Sequence, residues 1–388
     1  MIILLLKYLC FMIPKKLQNK IEQRKTQNTL RQLGTQHNLV DFSSNDYLGF
    51  SISRDIFDMT HHFLEENFIK QNGSRGSRLL TGNHQLYDDI EDFICSFHNA
   101  EAALIFNSGY DANLGFFSSV PQRGDIILYD EYIHASIRDG ITMSNAKSYK
   151  FNHNDLSDIV AILNRVQHNE EVYIVTESVF SMDGDSPDLK AFAKFCSQNK
   201  YHFIVDEAHA VGVFGDLGVG LIQALGLETN IFARIITFGK AFGSHGAAIL
   251  GSEDLKQYLI NFSRPFIYTT ALPPHSLMTL KSVYKELAHT HNIEKLHENI
   301  DFFKLQLKIH QLKSRFIESN SAIQCCIIRG NENVKSVSNM LNKKGFDVKP
   351  ILSPTVPLGH ERLRFCLHSY NSHKEISEVL QLLATFVK

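Results

Sequence analysis

The stretches "VDEAHAVGVFG" (205–215) and "ITFGKAFGSHG" (236–246) each end an apolar run with groups that can do chemistry. In the first, Asp206 and His209 stand three residues apart; in the second, Lys240 sits among glycines. An Asp withdrawn from water needs a positive partner. A Lys at such a strand exit can act as a nucleophile when its amine is unprotonated, a state favoured by burial and by a nearby cation. Other apolar runs end in the same way. "IFNSGYDAN" sets Asn107, Ser108, Gly109 and Tyr110 between a strand and a helix start, where backbone N–H groups suit an anion. "YDEYIHASIRDG" adds His134, "TESVFSMDGD" adds Glu177 and Ser181, and Thr237 precedes Lys240. Singly, each is an ordinary polar tip. If the sheet is parallel, however, these strand ends converge, and open α/β sheets bind ligands beyond the carboxyl ends of their strands.

The elements needed to position these residues are visible in the pattern. Short apolar runs at 102–106, 125–130, 171–178, 202–209 and 234–239 alternate with helix-compatible segments such as Ser186 to Asn199. That alternation predicts an α/β domain with a mainly parallel sheet. Ahead of it, spaced apolar residues from Leu17 to Leu33 predict an amphipathic helix, and "LVDFSSNDYLGF" a short strand and turn. Gly73, Gly76 and Gly82 mark a loop. After "TTALPP" (269–274) a helical stretch from His275 to Leu312 is followed by "SAIQCCIIR", a helix near Val334 to Lys344, "FDVKPI" and "RLRFCL". The expected division is a leader, helix and strand at 1–48, a large domain at 49–284 and a smaller C-terminal α+β domain at 285–388.

Composition narrows the function classes. The 388 residues carry a formal net charge of -2, without the basic footprint of a nucleic-acid binder. The six cysteines form no C-x-x-C pair and no H-E-x-x-H occurs, so no metal site is expected. The opening "MIILLLKYLCFMIPKK" is interrupted by Lys7, lacks a cleavage site, and falls short of the roughly 20 residues that span a bilayer. It is expected to be a disordered or loosely docked leader on a cytoplasmic protein that does not enter membranes.

Pyridoxal 5′-phosphate has a use for all the strand-end groups: a Lys to carry it, an Asp for its ring nitrogen, and an anion cradle for its phosphate. His134 could stack on the ring. The same residues carry a resemblance. "FSSNDYLGF", "GSRGSR", "NSGYDAN", "HAS", "TESVFSMDGD", "VDEAHAVGVFG", "TFGKAFG", "IYTTALPP" and "SPTVPLGHERLR" occur in order from Pro14 to the end. The chain resembles the α-oxoamine synthases, pyridoxal-phosphate transferases of fold type I, whose large domain holds a mainly parallel mixed sheet.

The resemblance implies roles residue by residue. Lys240 corresponds to the lysine that carries the cofactor, Asp206 to the partner of the ring nitrogen, and His134 to the stacking histidine. His209 and Ser181 correspond to positions near the ring hydroxyl, and Ser108, Gly109, Tyr110 and Thr237 to phosphate or ring contacts. Relatives are homodimers with shared active sites, which implies that Thr269 and Thr270 serve the partner's phosphate pocket. Arg31, Thr355 and Arg364 correspond to substrate positions, with Arg364 suited to a carboxylate because its guanidinium donates two parallel hydrogen bonds. If "RLR" is a strand, Arg362 and Arg364 share a face. Tyr87, Ala241 and His245 depart from the family's pattern. The implied reaction is a decarboxylative condensation of L-alanine with a pimeloyl thioester, carried on coenzyme A or acyl carrier protein. A glycine-using member of the family is the alternative, and a non-catalytic relative a remoter one, against which the presence of Lys240 counts.

Overall fold

Runs of five or six apolar residues, too short for a stable helix and rich in Ile and Val, become the strands of one buried sheet. The structure is a computed structural model, and it describes residues 13–31, 33, 38–166 and 170–387. The leader expected at 1–12 lies outside them. In chain order the strands are β1 (Val40–Asp41), β2 (Ala102–Phe106), β3 (Ile126–Asp130), β4 (Lys147–Phe151), β5 (Val172–Glu177) and β6 (His202–Asp206). They continue with β7 (Ala233–Thr237), β8 (Ala247–Gly251), β9 (Ile323–Ile327), β10 (Phe346–Asp347), β11 (Lys349–Ile351) and β12 (Arg362–Cys366).

Seven strands form the large sheet in the order β2-β8-β7-β6-β5-β3-β4. All run in one direction except β8, which is antiparallel to β2 and β7. Helices cover both faces. On one, Phe116, Phe117 and Ile137 pack against Ile204 and Ile235; on the other, Phe192 and Ile159 pack against Ile174 and Val205. Every residue of the central strand β5 is buried, as two covered faces require. Two strands escaped the sequence pattern. The edge strand β4, "KSYKF", is largely exposed, and β8, "AAILG", offers only four apolar residues, two of them alanine, between Gly246 and its own last residue Gly251.

A second sheet, β11-β12-β9, is antiparallel, and β12 sets Arg364 opposite Cys325 and Arg362 opposite Ile327. Arg362 and Arg364 therefore do share a face. The short β1 pairs in parallel with β10, Val40 opposite Phe346, so the early chain is stitched to a segment some 300 residues later. Two helices differ from expectation. The first spans only Lys15–Thr26, because Asn28 turns left-handed (φ 50°) and the Thr29 N–H closes on the Arg24 carbonyl at 2.8 Å. The stretch expected from His275 to Leu312 is two helices, Pro274–Leu287 and Asn292–Ile309. Asn292 leaves the turn between them to donate from Nδ2 to the Leu48 carbonyl at 3.0 Å.

The Gly73–Gly82 loop is docked. Ser74 Oγ donates to the Ala271 carbonyl at 2.7 Å, and the Ala271 N–H to the Gly76 carbonyl at 2.9 Å. A Cβ on Gly82 would come within 2.3 Å of the Gly76 carbonyl oxygen, so only glycine fits there. Among the described residues no helix is long and apolar enough to cross a membrane.

A buried ion pair fixes the β6 exit against β7. Glu207, directly after β6, receives Arg234 Nε at 2.9 Å and Nη2 at 2.7 Å, and its other oxygen accepts the Ile222 N–H at 3.0 Å. Arg234 also donates to the His98 and Val219 carbonyls. Removing one partner of such a pair strands the other charge. Arg234→Met should therefore cost about 3–5 kcal/mol of unfolding free energy, measured by denaturant titration. A loss under about 1 kcal/mol would mean that Glu207 finds solvent or another partner.

Candidate active site

The parallel strands deliver their ends to one cavity of about 240 Å³ at the carboxyl edge of the sheet. Asp206 closes β6 and Thr237 closes β7, three residues before Lys240. Ser108, Gly109 and Tyr110 open the helix Gly109–Ser119 after β2, and His134 opens the helix Ala135–Met143 after β3. All of these line the cavity, as does His209. Ser108 caps its helix by accepting the Asp111 N–H at 3.1 Å, and the His134 ring caps its own by accepting from Ser136 N–H at 3.3 Å.

The charged groups are arranged around Lys240. Its Nζ lies 2.7 Å from His209 Nε2, and His209 Nδ1 lies 2.8 Å from the Tyr47 hydroxyl. Burial lowers the Lys240 pKa to about 8; the Asp206 and Glu177 carboxyls act against this and Arg364 with it. Burial also holds His209 well below the usual imidazole range, reinforced by Lys240 and Arg364. Asp206 accepts from Asn113 Nδ2 and from the Ala208 N–H, both at 2.9 Å. Its neighbour across the strands, Glu177, is pushed up to about 8 by burial and by the Asp206 charge, so it holds a proton at neutral pH. Glu177 accepts the His134 N–H at 2.6 Å. Burial lowers the His134 pKa, partly offset by Asp206.

The residues present fit pyridoxal phosphate. Asp206 is 4% exposed and its hydrogen bonds come from neutral donors, which leaves room for a cationic ring nitrogen. Thr237 Oγ1 and Asn113 Oδ1 are buried without a hydrogen-bond partner. A Cβ on Gly109 would come within 2.5 Å of Thr237 Cγ2, so glycine keeps the helix start close beside Thr237. An 11-residue helix whose first turn faces the cavity supplies N–H donors for a phosphate.

Other expected residues lie elsewhere. Ser181 is buried in the turn after β5, outside the cavity lining. Arg364 stands one shell back, donating from Nη2 to the lining residue Asn45 at 2.9 Å. Thr269 accepts from Asn107 Nδ2 at 3.1 Å, and neither it nor the exposed Thr270 lines the cavity. Arg31 is exposed, and Thr355 lies in a separate small cleft with Tyr132, Arg138 and Met182. Glu177 lines the cavity as its strand-end position led one to expect, and Asn45, Asn113, Ser136 and His245 line it beyond those expected. Asn113 carried a signal: it lies four residues after Gly109, on the same helix face. Tyr87 is buried with Arg78 stacked 3.9 Å from its ring centre, away from the cavity. Ala241 packs beneath Gly212, 1% exposed.

The chain matches the aminotransferase class I and II family over residues 37–383, and it belongs to that family. A curated protein of Emericella nidulans named 8-amino-7-oxononanoate synthase is 40% identical over 368 residues, covering 90% of this chain and 89% of its own. The crystal structure of a protein of that name from Francisella tularensis superposes with a TM-score of 0.76 at 30% identity, covering 89% of this chain and 97% of its own. Serine palmitoyltransferase of Sphingomonas wittichii superposes with a TM-score of 0.83 at 28% identity, covering 89% and 86%. The architecture is that of the fold-type-I transferases, as the motifs led one to expect.

One histidine outside the cavity clasps two of the strand exits that build it. His153, after β4, lies 2.9 Å from Asp130 at the end of β3 and 2.8 Å from Asp185 in the turn after β5. Asp183 stands beside them, already paired with Arg362, so these acids are compensated by cations of the chain. Burial pulls the His153 pKa down, but the two carboxylates outweigh it and raise it from 6.5 to about 9. A raised folded-state value stabilises fully below the unfolded value and is lost as pH climbs through the folded one. Relative to His153→Gln, the wild type should thus be more stable by about 2–3 kcal/mol at pH 6, a margin that disappears by about pH 10. Denaturant melts of both proteins across that range test it; a margin independent of pH would contradict the clasp.

Proposed function

We propose that the protein is a pyridoxal-phosphate-dependent acyltransferase that condenses L-alanine with a pimeloyl thioester to give 8-amino-7-oxononanoate, carbon dioxide and the free thiol. The observation that carries the cofactor is the meeting of Lys240 and Asp206 in one cavity beside the Ser108–Tyr110 helix start. Bound there, pyridoxal phosphate would supply an electron sink for breaking bonds at the amino-acid α-carbon. The choice of substrates is supported by the 8-amino-7-oxononanoate synthase from Emericella nidulans, which matches nine-tenths of the chain.

The chain's own residues then have distinct tasks. Lys240, its pKa lowered from 10.5 to about 8 by burial, has a far larger free-base fraction at neutral pH than an exposed lysine and can take a proton at Nζ from the α-carbon and return it. Asp206 would hold the proton on the ring nitrogen, and protonated Glu177 adds no second negative charge beside it. His134 would lie against the ring, and Thr237 and Ser108 would take the phosphate. Arg364 retains a buried Nε without a partner and so has a donor free for the amino-acid carboxylate. Two copies of the chain share their sites in this reading. Thr269 and Thr270 stand clear of their own cavity beside the exposed Tyr268, which supports their serving a partner's phosphate pocket. Arg31 and Thr355 would serve the acyl side, and the cytoplasm is the compartment proposed.

Condensation rates for acetyl-, succinyl- and pimeloyl-coenzyme A, each with alanine and with glycine, test the substrate pair. Alanine with the pimeloyl donor should give the highest kcat/KM. The alanine methyl is worth about 1–3 kcal/mol in a fitted pocket, so glycine turnover about 10- to 100-fold weaker is expected. A higher kcat/KM for glycine with either shorter donor would assign the protein to a glycine-using member of the family.

A further inference from the structure

Tyr47 stands behind the site in a chain of polar groups that the sequence motifs did not single out. It is fully buried, its hydroxyl is 2.8 Å from His209 Nδ1, and the other ring nitrogen of His209 is 2.7 Å from Lys240 Nζ. The direction of these hydrogen bonds decides the state of Lys240. A neutral imidazole donates from one nitrogen and accepts at the other. If Tyr47 donates to Nδ1, then Nε2 carries the hydrogen and Lys240 must accept it through its lone pair. If Nδ1 donates to Tyr47, Nε2 is bare and holds an ammonium equally well.

The surroundings select the first arrangement. The Arg364 guanidinium lies against the phenol and can only donate, so it offers the phenol hydrogen no acceptor. The remaining acceptors are Asn45 Oδ1, a long 3.3 Å away and shared with Arg364 Nη2 at 2.9 Å, and His209 Nδ1 at the much shorter 2.8 Å. The phenol proton therefore belongs on the His209 bond. We propose that Tyr47 is a positioning residue which, oriented by Arg364, fixes His209 as the Nε2–H tautomer and thereby favours the free-base form of the Lys240 amine. Burial pushes the Tyr47 pKa upward, which keeps the donor proton in place, and the lowered pKa of Lys240 agrees with the direction of the chain. The groups facing Lys240 and His209 are Asp206, Glu177, His134, Arg364 and Cys366; none of them hydrogen-bonds His209 Nδ1, whose partner is Tyr47.

The inference rests on Lys240 as the reacting amine of the proposed function, yet its test needs neither cofactor nor substrate. In cofactor-free full-length protein, competitive acetylation of lysines with quantitation of the Lys240 peptide across pH 6–10 reports the amine's free-base fraction. Tyr47→Phe keeps the ring and removes the donor; His209 is then free to turn its bare Nε2 toward Lys240. Labelling at pH 7 should fall about tenfold, the pH midpoint moving up by about one unit. Tyr284→Phe, which removes another buried tyrosine hydroxyl, bonded to His98 at 2.9 Å, should leave the midpoint in place. An unmoved midpoint in Tyr47→Phe overturns the proposal. If that variant does not fold, nitrogen-15 spectra of histidine-labelled wild-type protein decide it, with His209 assigned through His209→Asn. An Nε2–H signal supports the chain, and an Nδ1–H signal overturns it. A protein that labels as expected but turns over no alanine would leave this chain intact and remove only the substrate assignment.

Discussion

The buried carboxylate of Asp206 is the constraint around which the rest of the site is arranged. It ends a strand at the centre of the sheet, hydrogen-bonded by an amide side chain and one backbone N–H, both neutral. A charge in that place calls for a cation, and the neighbouring groups are tuned so as not to compete for the role. Glu177, its nearest carboxyl neighbour across the strands, is driven to hold a proton, while Lys240 and His209 are pushed toward neutrality by burial. What remains is a buried anion whose hydrogen bonds come from neutral donors, beside an amine whose pKa burial lowers.

The fold serves this arrangement at some distance. Parallel strands bring five exits to one edge, and the single reversed strand, β8, lies between β7 and the edge strand β2, with His245 and Gly246 at its start on the cavity wall. The exits are then pinned from outside. Glu207 and Arg234 lock β6 to β7, and His153 ties the end of β3 to the turn after β5. Arg362 reaches from β12 to the Met182 carbonyl, joining that turn to the second sheet, while its neighbour Arg364 reaches Asn45 at the cavity wall. Two arginines on one face of a short strand thus reach different partners, Arg362 the turn after β5 and Arg364 the cavity wall.

Much of this could be read in the sequence because it depends on local pattern. Continuous apolar runs marked β2, β3, β5, β6 and β7, and each run was followed by at least one polar residue that lines the cavity, though Asn107 and Ser181 do not. The strands β4 and β8 were not legible, since β4 is an exposed edge strand and β8 is a short stretch, two alanines before Ile249 and Leu250, set between glycines. Asn113 and Tyr47 were hidden for another reason. Each acts through a partner far along the chain, Asp206 for one and His209 for the other, and only the folded sheet brings them together. Arg31 and Thr355 were carried over by resemblance and lie outside the cavity of the single chain.

The central claim is that Lys240 is the amine that takes up pyridoxal phosphate opposite Asp206. Borohydride reduction of cofactor-loaded protein, followed by peptide mapping, tests it most directly. The account predicts a single modified peptide carrying the reduced cofactor on Lys240, absent from Lys240→Ala. Stoichiometric modification of a different lysine, or cofactor that reduction never fixes to the chain, would contradict it.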